Sequence, residues 1–248
     1  MHASPITGLY GKLPAHGDFV VRNLPSSFVS SWDQWLQHFV ISARDNIGEN
    51  WLDIYLTSPL WRFVLSPGVI DSSVWAGVMM PSVDRVGRYF PFSIALKLEG
   101  DNNPFEFLSL RSGWFSEIEE LALSALHGKI TLDELSVLLE ECTLTIDSSY
   151  KRAARVHGAK ILYGEVELEE QSPSSTYPQF LDYCLSESLN SYSVWATDGS
   201  ERVFPCVFIT HNLPSPEKIP AMLDGKWKQR GYHQPYELKL EQPIPSPE

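Results

Sequence analysis

Phe28, Trp32, Trp35, Leu36, Phe39 and Ala43 recur at steps of three and four. That spacing places them on one stripe of an α-helix running from about Ser26 to Asn46. Four of the six are aromatic, so the helix needs a broad apolar surface to lie on. Three short runs downstream supply it. "LWRFVL" (Leu60 to Leu65) stops at Ser66-Pro67-Gly68, "SVWAGVMM" (Ser73 to Met80) stops at Pro81-Ser82, and "RYFPFSIALKLEG" (Arg88 to Gly100) alternates Phe92, Ile94, Leu96 and Leu98. Each reads as a strand, and the short links between them imply antiparallel pairing.

The rest of the chain continues this mixture. A second helical stripe joins Phe107, Leu108, Trp114, Phe115, Ile118, Leu121, Ala122 and Ala125, and closes at His127-Gly128. Thr131 and Glu134 have capping-box spacing, with Ile130 and Leu135 placed as a hydrophobic staple, so another helix is expected to run to about Cys142. A fourth helix is expected over Tyr177, Phe180, Leu181, Cys184, Leu185 and Leu189. Two last strands, "SYSVWAT" and "RVFPCVFIT", flank Asp198-Gly199-Ser200, and Pro205 marks the second as an edge strand or a bulge. These elements predict one α+β domain over residues 1–241. Its largely antiparallel central sheet carries helices on both faces, a three-layer α-β-α arrangement. Residues 147–175 are expected to be irregular, and the Pro-rich tail 242–248 disordered.

At 248 residues the chain can bury roughly 70% of its unfolded surface, so its core needs neither disulfides nor a structural metal. Nineteen Lys and Arg against 31 Asp and Glu give a net charge of −12, which argues against nucleic acid and anionic membranes as partners. The one basic run, Tyr150 to Lys160, is followed at once by the acidic Gly164 to Glu170 and reads as a solvated face. No window of about 18 apolar residues occurs, and "MHASPITG" lacks the pattern of a signal peptide, so neither membrane insertion nor export is expected. Three separated cysteines, Cys142, Cys184 and Cys206, the first two on apolar helix faces, suit a reducing cytoplasm.

"GLYGKLPAHGDFVVRNLP" (Gly8 to Pro25) looks most like chemistry, yet its motifs fail one by one. A phosphate loop needs Gly five residues before Gly11-Lys12 and a hydroxyl after the Lys, where this chain has Ile6 and Leu13. G-x-S-x-G is absent, and no second His or Cys stands at a metal-ligand offset from His16. The stretch is therefore read as a strand and turn, with Leu9, Leu13, Phe19 and Val21 on one inward face and Gly17 supplying an unusual backbone angle. Asp18 is expected to cap the chain or to form a structural ion pair with Arg85 or Arg88. Lys12, His16 and Arg22 are expected to face outward and contact a partner. The alternative is a phosphohydrolase built on His16, Asp18 and Asp198, which requires the three to converge.

Three segments together resemble one family: Gly8 to Gln37, Trp61 to Ala95 ("WRFVLSPGVIDSSVWAGVMMPSVDRVGRYFPFSIA") and Ser191 to Trp227 ("SYSVWATDGSERVFPCVFITHNLPSPEKIPAMLDGKW"). They are similar to the TagF (ImpM) family, accessory proteins of bacterial type VI secretion systems. One departure is visible: TagF-like chains commonly carry two adjacent tryptophans before the Asp-Gly-Ser turn, whereas here Trp195 precedes Ala196. The resemblance implies a non-catalytic cytoplasmic regulator without catalytic residues or cofactor. Such a protein represses secretion-system assembly or firing after translation, by engaging a forkhead-associated scaffold protein.

Overall fold

The computed structural model describes residues 7–100, 102–142, 144, 162–163, 172–232 and 236. Most of the segment expected to be irregular, the basic run and its acidic sequel, and the expected disordered tail lie outside the described residues. In chain order the elements are β1 (Thr7–Gly11), β2 (Val20–Arg22), α1 (Ser26–Ile47), α2 (Trp51–Leu56), β3 (Trp61–Leu65), β4 (Val74–Met80) and β5 (Phe92–Leu98). There follow α3 (Pro104–Leu110), α4 (Ser112–Leu126), α5 (Leu132–Glu141), α6 (Tyr177–Leu189), β6 (Tyr192–Thr197), β7 (Cys206–His211) and α7 (Ile219–Asp224).

The seven strands form one sheet in the order β2-β1-β5-β4-β3-β6-β7, every pair antiparallel. Because side chains alternate along a strand, the sheet has two apolar faces. Val64, Val74, Ala76, Val78, Ile94 and Leu96 point to the side where α4 brings Phe115 and Ile118 and α5 brings Leu135 and Leu139. Trp61, Phe63, Leu65, Trp75, Met79 and Trp195 point to the other, under α1 and α7. Each helix layer buries its stripe on the sheet, which is the three-layer architecture that the pattern predicts.

The aromatic stripe of α1 is the centre of the second layer. Phe28, Trp32, Leu36 and Ala43 are fully buried, and the Trp32 ring lies 4.7 Å from Phe63 and parallel to Trp195 at 6.2 Å. Trp32 keeps its indole N–H satisfied by donating to the Ser93 hydroxyl at 3.0 Å, as a buried donor must. In β4, Gly77 keeps the central strands close, since a Cβ there would meet the Phe63 ring at 2.8 Å. On the opposite layer the second helical stripe is divided into α3 and α4 at Arg111, and α3 starts with Asn103 as cap and Pro104 at its first turn. The Thr131–Glu134 capping box closes in both directions. Of the two helix cysteines, Cys142 is buried but Cys184 is exposed, because α6 buries none of its residues.

Candidate interaction surface

β1 ends at Gly11, whose φ of 134° is open to glycine, and a Cβ there would strike the Pro91 carbonyl and the Phe92 backbone. From Gly11 the chain folds over the link between β4 and β5, and the two loops are stitched together around Asp84. Its Oδ1 accepts the backbone N–H groups of Val86 (3.0 Å) and Arg88 (2.8 Å). Its Oδ2 accepts Lys12 Nζ (2.9 Å) and Arg88 Nε (2.6 Å). Arg88 also donates to the Gly17 carbonyl, and the Arg85 N–H donates to the His16 carbonyl at 2.9 Å. Below this, Ser82 Oγ donates to the Lys12 carbonyl at 2.7 Å, while the Tyr55 hydroxyl bridges the Ser82 N–H and C=O.

Burial pushes the Asp84 carboxyl upward, but the bonds from Lys12, Arg88 and Val86 outweigh it and hold the group well below the usual carboxylate range. Asp84 is thus a buried anion, with Lys12 almost as buried beside it. The Lys12 ammonium also lies 4.9 Å from the centre of the Phe19 ring, a favourable cation–π distance. A lysine and an aspartate so committed to each other are used up by the fold.

This geometry corrects several expectations. Lys12 does not face outward: it is 5% exposed, because β1 carries it beneath the β4–β5 link. Asp18 forms no ion pair with Arg85 or Arg88 among the described residues. It is exposed, and its carboxylate accepts the N–H of Phe19 at 2.8 Å, while Arg88 turns to Asp84 instead. Gly17 has no left-handed backbone; in this stretch that conformation belongs to Gly11 and Asn23. The absence of a Gly17 side chain matters differently, letting the Arg85 guanidinium come to 3.3 Å of where a Cβ would stand. Leu9 and Leu13 are buried as expected, but Val20 replaces Phe19 and Val21, which are 43% and 38% exposed. The turn shifts the alternation by one residue. His16 is half-buried, and Arg22 is exposed, its guanidinium 3.9 Å from the open carboxylate of Asp133.

The three residues of the hydrolase alternative do not converge. His16 and Asp18 follow β1 and Asp198 follows β6, four strands away in the sheet, or about 19 Å at normal strand spacing. Asp198 instead binds Arg62 at 2.9 Å, alongside the bidentate pair of Arg62 with Glu119. Burial pushes the Cys142 thiol up to about 12, helped by Glu117, and the Cys206 thiol up to about 11, so neither is a ready nucleophile. The residue missed from sequence was Asp84 as the hub. Its signal is local: a carboxylate followed three residues on by Gly87, whose φ of 86° permits the tight turn.

Comparison with known proteins places this arrangement. The family model of the TagF N-terminal domain, type VI secretion system-associated, matches residues 8–142. The chain belongs to the TagF family. The crystal structure of PA0076 from Pseudomonas aeruginosa PAO1 is similar over 95% of this chain and 100% of its own, at 31% identity and a TM-score of 0.75. None of the curated proteins compared with the chain matches it. This TagF-family sheet does not stop where the matched residues stop, because β6 pairs with β3 and β7 with β6. Ala196, at the position of the expected second tryptophan, pairs with Arg62 and Val207 on the face away from Trp195. No helix among the described residues is long and apolar enough to cross a membrane.

Proposed function

We propose that this type VI secretion system-associated protein is a non-catalytic cytoplasmic regulator. It represses assembly or firing of the secretion system after translation, by binding a component such as a forkhead-associated scaffold protein. The observation that carries the reading is membership of the TagF family across the matched residues and the PA0076-like fold. The state of the opening stretch supports it. Lys12 and Arg88, the cations nearest to a catalytic constellation, are both bonded to Asp84, and Asp198 follows a strand four places from the one that leads to His16 and Asp18.

The test pairs a binding assay with a secretion assay. The purified chain is titrated with the purified forkhead-associated protein of the same cell, and secretion is followed in cells lacking or overproducing the chain. Saturable binding, with secretion lowered by overproduction and raised by deletion, is expected. Unaltered secretion, or metal-dependent turnover of a phosphorylated substrate that Asp18→Ala abolishes without unfolding, overturns the proposal.

A further inference from the structure

Among the described residues the two edges of the sheet differ. β2 is three residues long and ends in Arg22, the kind of short, charged edge that resists pairing with another chain. β7 is six residues long, and its sequence, Cys-Val-Phe-Ile-Thr-His, contains no lysine, arginine, carboxylate or proline. Its Phe208 face is covered by Trp61, Trp195 and Trp227. On a strand half-covered in this way the opposite face is ordinarily polar. Here that face presents Val207 at 63% exposure and Ile209 at 38%, and Phe204 just before the strand is 88% exposed. Ala196, the cross-strand neighbour of Val207, is too small to shield it.

Open carboxylates stand beside this edge. At the end of β7 nearest Cys206, Arg62 is shared by Glu119 and Asp198, and Arg202 by Asp53 and Glu201. Of these four carboxylates Asp198 and Glu201 are the most open, each with 82% of its side chain exposed.

We infer that β7 is a docking edge for an extended segment of another protein, one that adds as a further strand, sets alternate apolar side chains against Val207 and Ile209, and carries Lys or Arg beside Asp198 and Glu201. Strand addition takes its affinity from main-chain hydrogen bonds and its specificity from alternate side chains and flanking charge. The inference rests on the reading that the chain works by binding a protein.

The probe is a synthetic peptide of alternating threonine and valine ending in two arginines, with a control peptide ending in two glutamates. Each is titrated into the isotope-labelled full chain, and amide shifts and hydrogen exchange are read residue by residue. Shifts and slowed exchange at Cys206–His211 are expected, with the glutamate peptide at least about tenfold weaker. Val207→Lys is expected to weaken the arginine peptide by about tenfold or more. Val207→Thr, which keeps a strand-forming side chain, is expected to weaken it less and serves if the lysine variant does not fold. Shifts centred elsewhere, or equal binding of both peptides, overturn the inference. So does a dimer whose dissociation exposes β7, which would make a second copy the occupant. Exchange at β7 already slow throughout in the isolated monomer would make the chain's own residues beyond 232 the occupant, and overturns it likewise. If the forkhead-associated protein binds wild type and Val207→Lys alike, the edge is refuted and the proposed function stands. If it binds neither while the peptide still docks at β7, the proposed function loses its partner and the edge stands.

Discussion

Trp35 of α1 donates its indole N–H to the carbonyl of Pro214 at 2.8 Å, across 179 residues of chain. The same helix sends the Ser42 hydroxyl to the Pro216 carbonyl, and from β3 the Trp61 indole reaches the Met222 carbonyl at 3.2 Å. The indoles and the hydroxyl therefore do two jobs at once. The indole rings fill the aromatic layer, and the three donors fix the path of the chain into α7, where the Pro214 and Met222 carbonyls would otherwise be buried without partners.

Trp35→Phe tests that double role. Phenylalanine keeps part of the ring volume but removes the donor, leaving the Pro214 carbonyl buried and unpaired, which costs roughly 1–3 kcal/mol before any void is counted. For a domain of this size the expected loss in Tm is about 5–10 °C. A thermal melt unchanged from wild type would show that water replaces the indole and that the stitch is dispensable.

A chain cut after Cys142 is expected not to fold, although it contains all the residues matched by the family model. Without β6, the outer edge of β3 loses its partner, and Phe63 and Trp32 lose the Trp195 ring that lies 5.5 and 6.2 Å away. The second layer would open on a face of exposed aromatics, an aggregation-prone state. Size-exclusion chromatography and an amide spectrum read this directly. A monomer with dispersed resonances would contradict the prediction.

His16→Ala and Arg22→Ala are expected to shift Tm by less than about 2 °C, each being a surface change without a strong partner. No hydrogen bond to the His16 ring occurs among the described residues, its backbone making the turn's contacts. Arg22 donates to the carbonyl of its neighbour Val21 at 2.9 Å and stands 3.9 Å from the 93% exposed Asp133, an exposed pair of a kind that contributes little. A drop of more than about 5 °C from either would make it a structural residue. With stability unchanged, the same variants report cleanly on partner binding.

How much of this was legible in the sequence depended on the length of each signal. α1 repeats its apolar step from Phe28 to Ala43, and the Thr131–Glu134 box needs only local bonds, so both could be read directly. α7 is six residues long and buried throughout, so it has no polar side to set a period against. α2, equally short, completes too few turns to show one. β7 is an edge strand among the described residues, as expected, but it starts at Cys206, so Pro205 stands just before the ladder rather than within it. The choice of Asp84 over Asp18 as the partner of Arg88 was not legible. Both carboxylates are loop residues, and only the packing of the β1–β2 loop against the β4–β5 link decides which of them is enclosed.

That enclosure makes Asp84 an acid-sensitive point of the fold. Its folded carboxyl titrates below its unfolded value of about 3.9, so the native state binds fewer protons there than the unfolded chain does. The stabilisation is complete above about pH 4 and is lost as pH falls from there toward the lower folded value. Asp84→Asn keeps an Oδ1 that can accept the Val86 and Arg88 N–H groups but removes the charge facing Lys12, so the acid-dependent part is expected to disappear with it. Denaturant midpoints should then change less between pH 5 and pH 2.5 in the variant than in wild type, while the variant is less stable at pH 7. Lys12→Met should lower Tm on the order of 10 °C at neutral pH, because it leaves a buried anion with one fewer cation. The double variant Lys12→Met/Asp84→Asn should lose less than the sum of the two, since the charge orphaned by one change is removed by the other. Strictly additive losses, or an acid transition in Asp84→Asn identical to that of wild type, would show that Asp84 does not act as a buried anion held by Lys12.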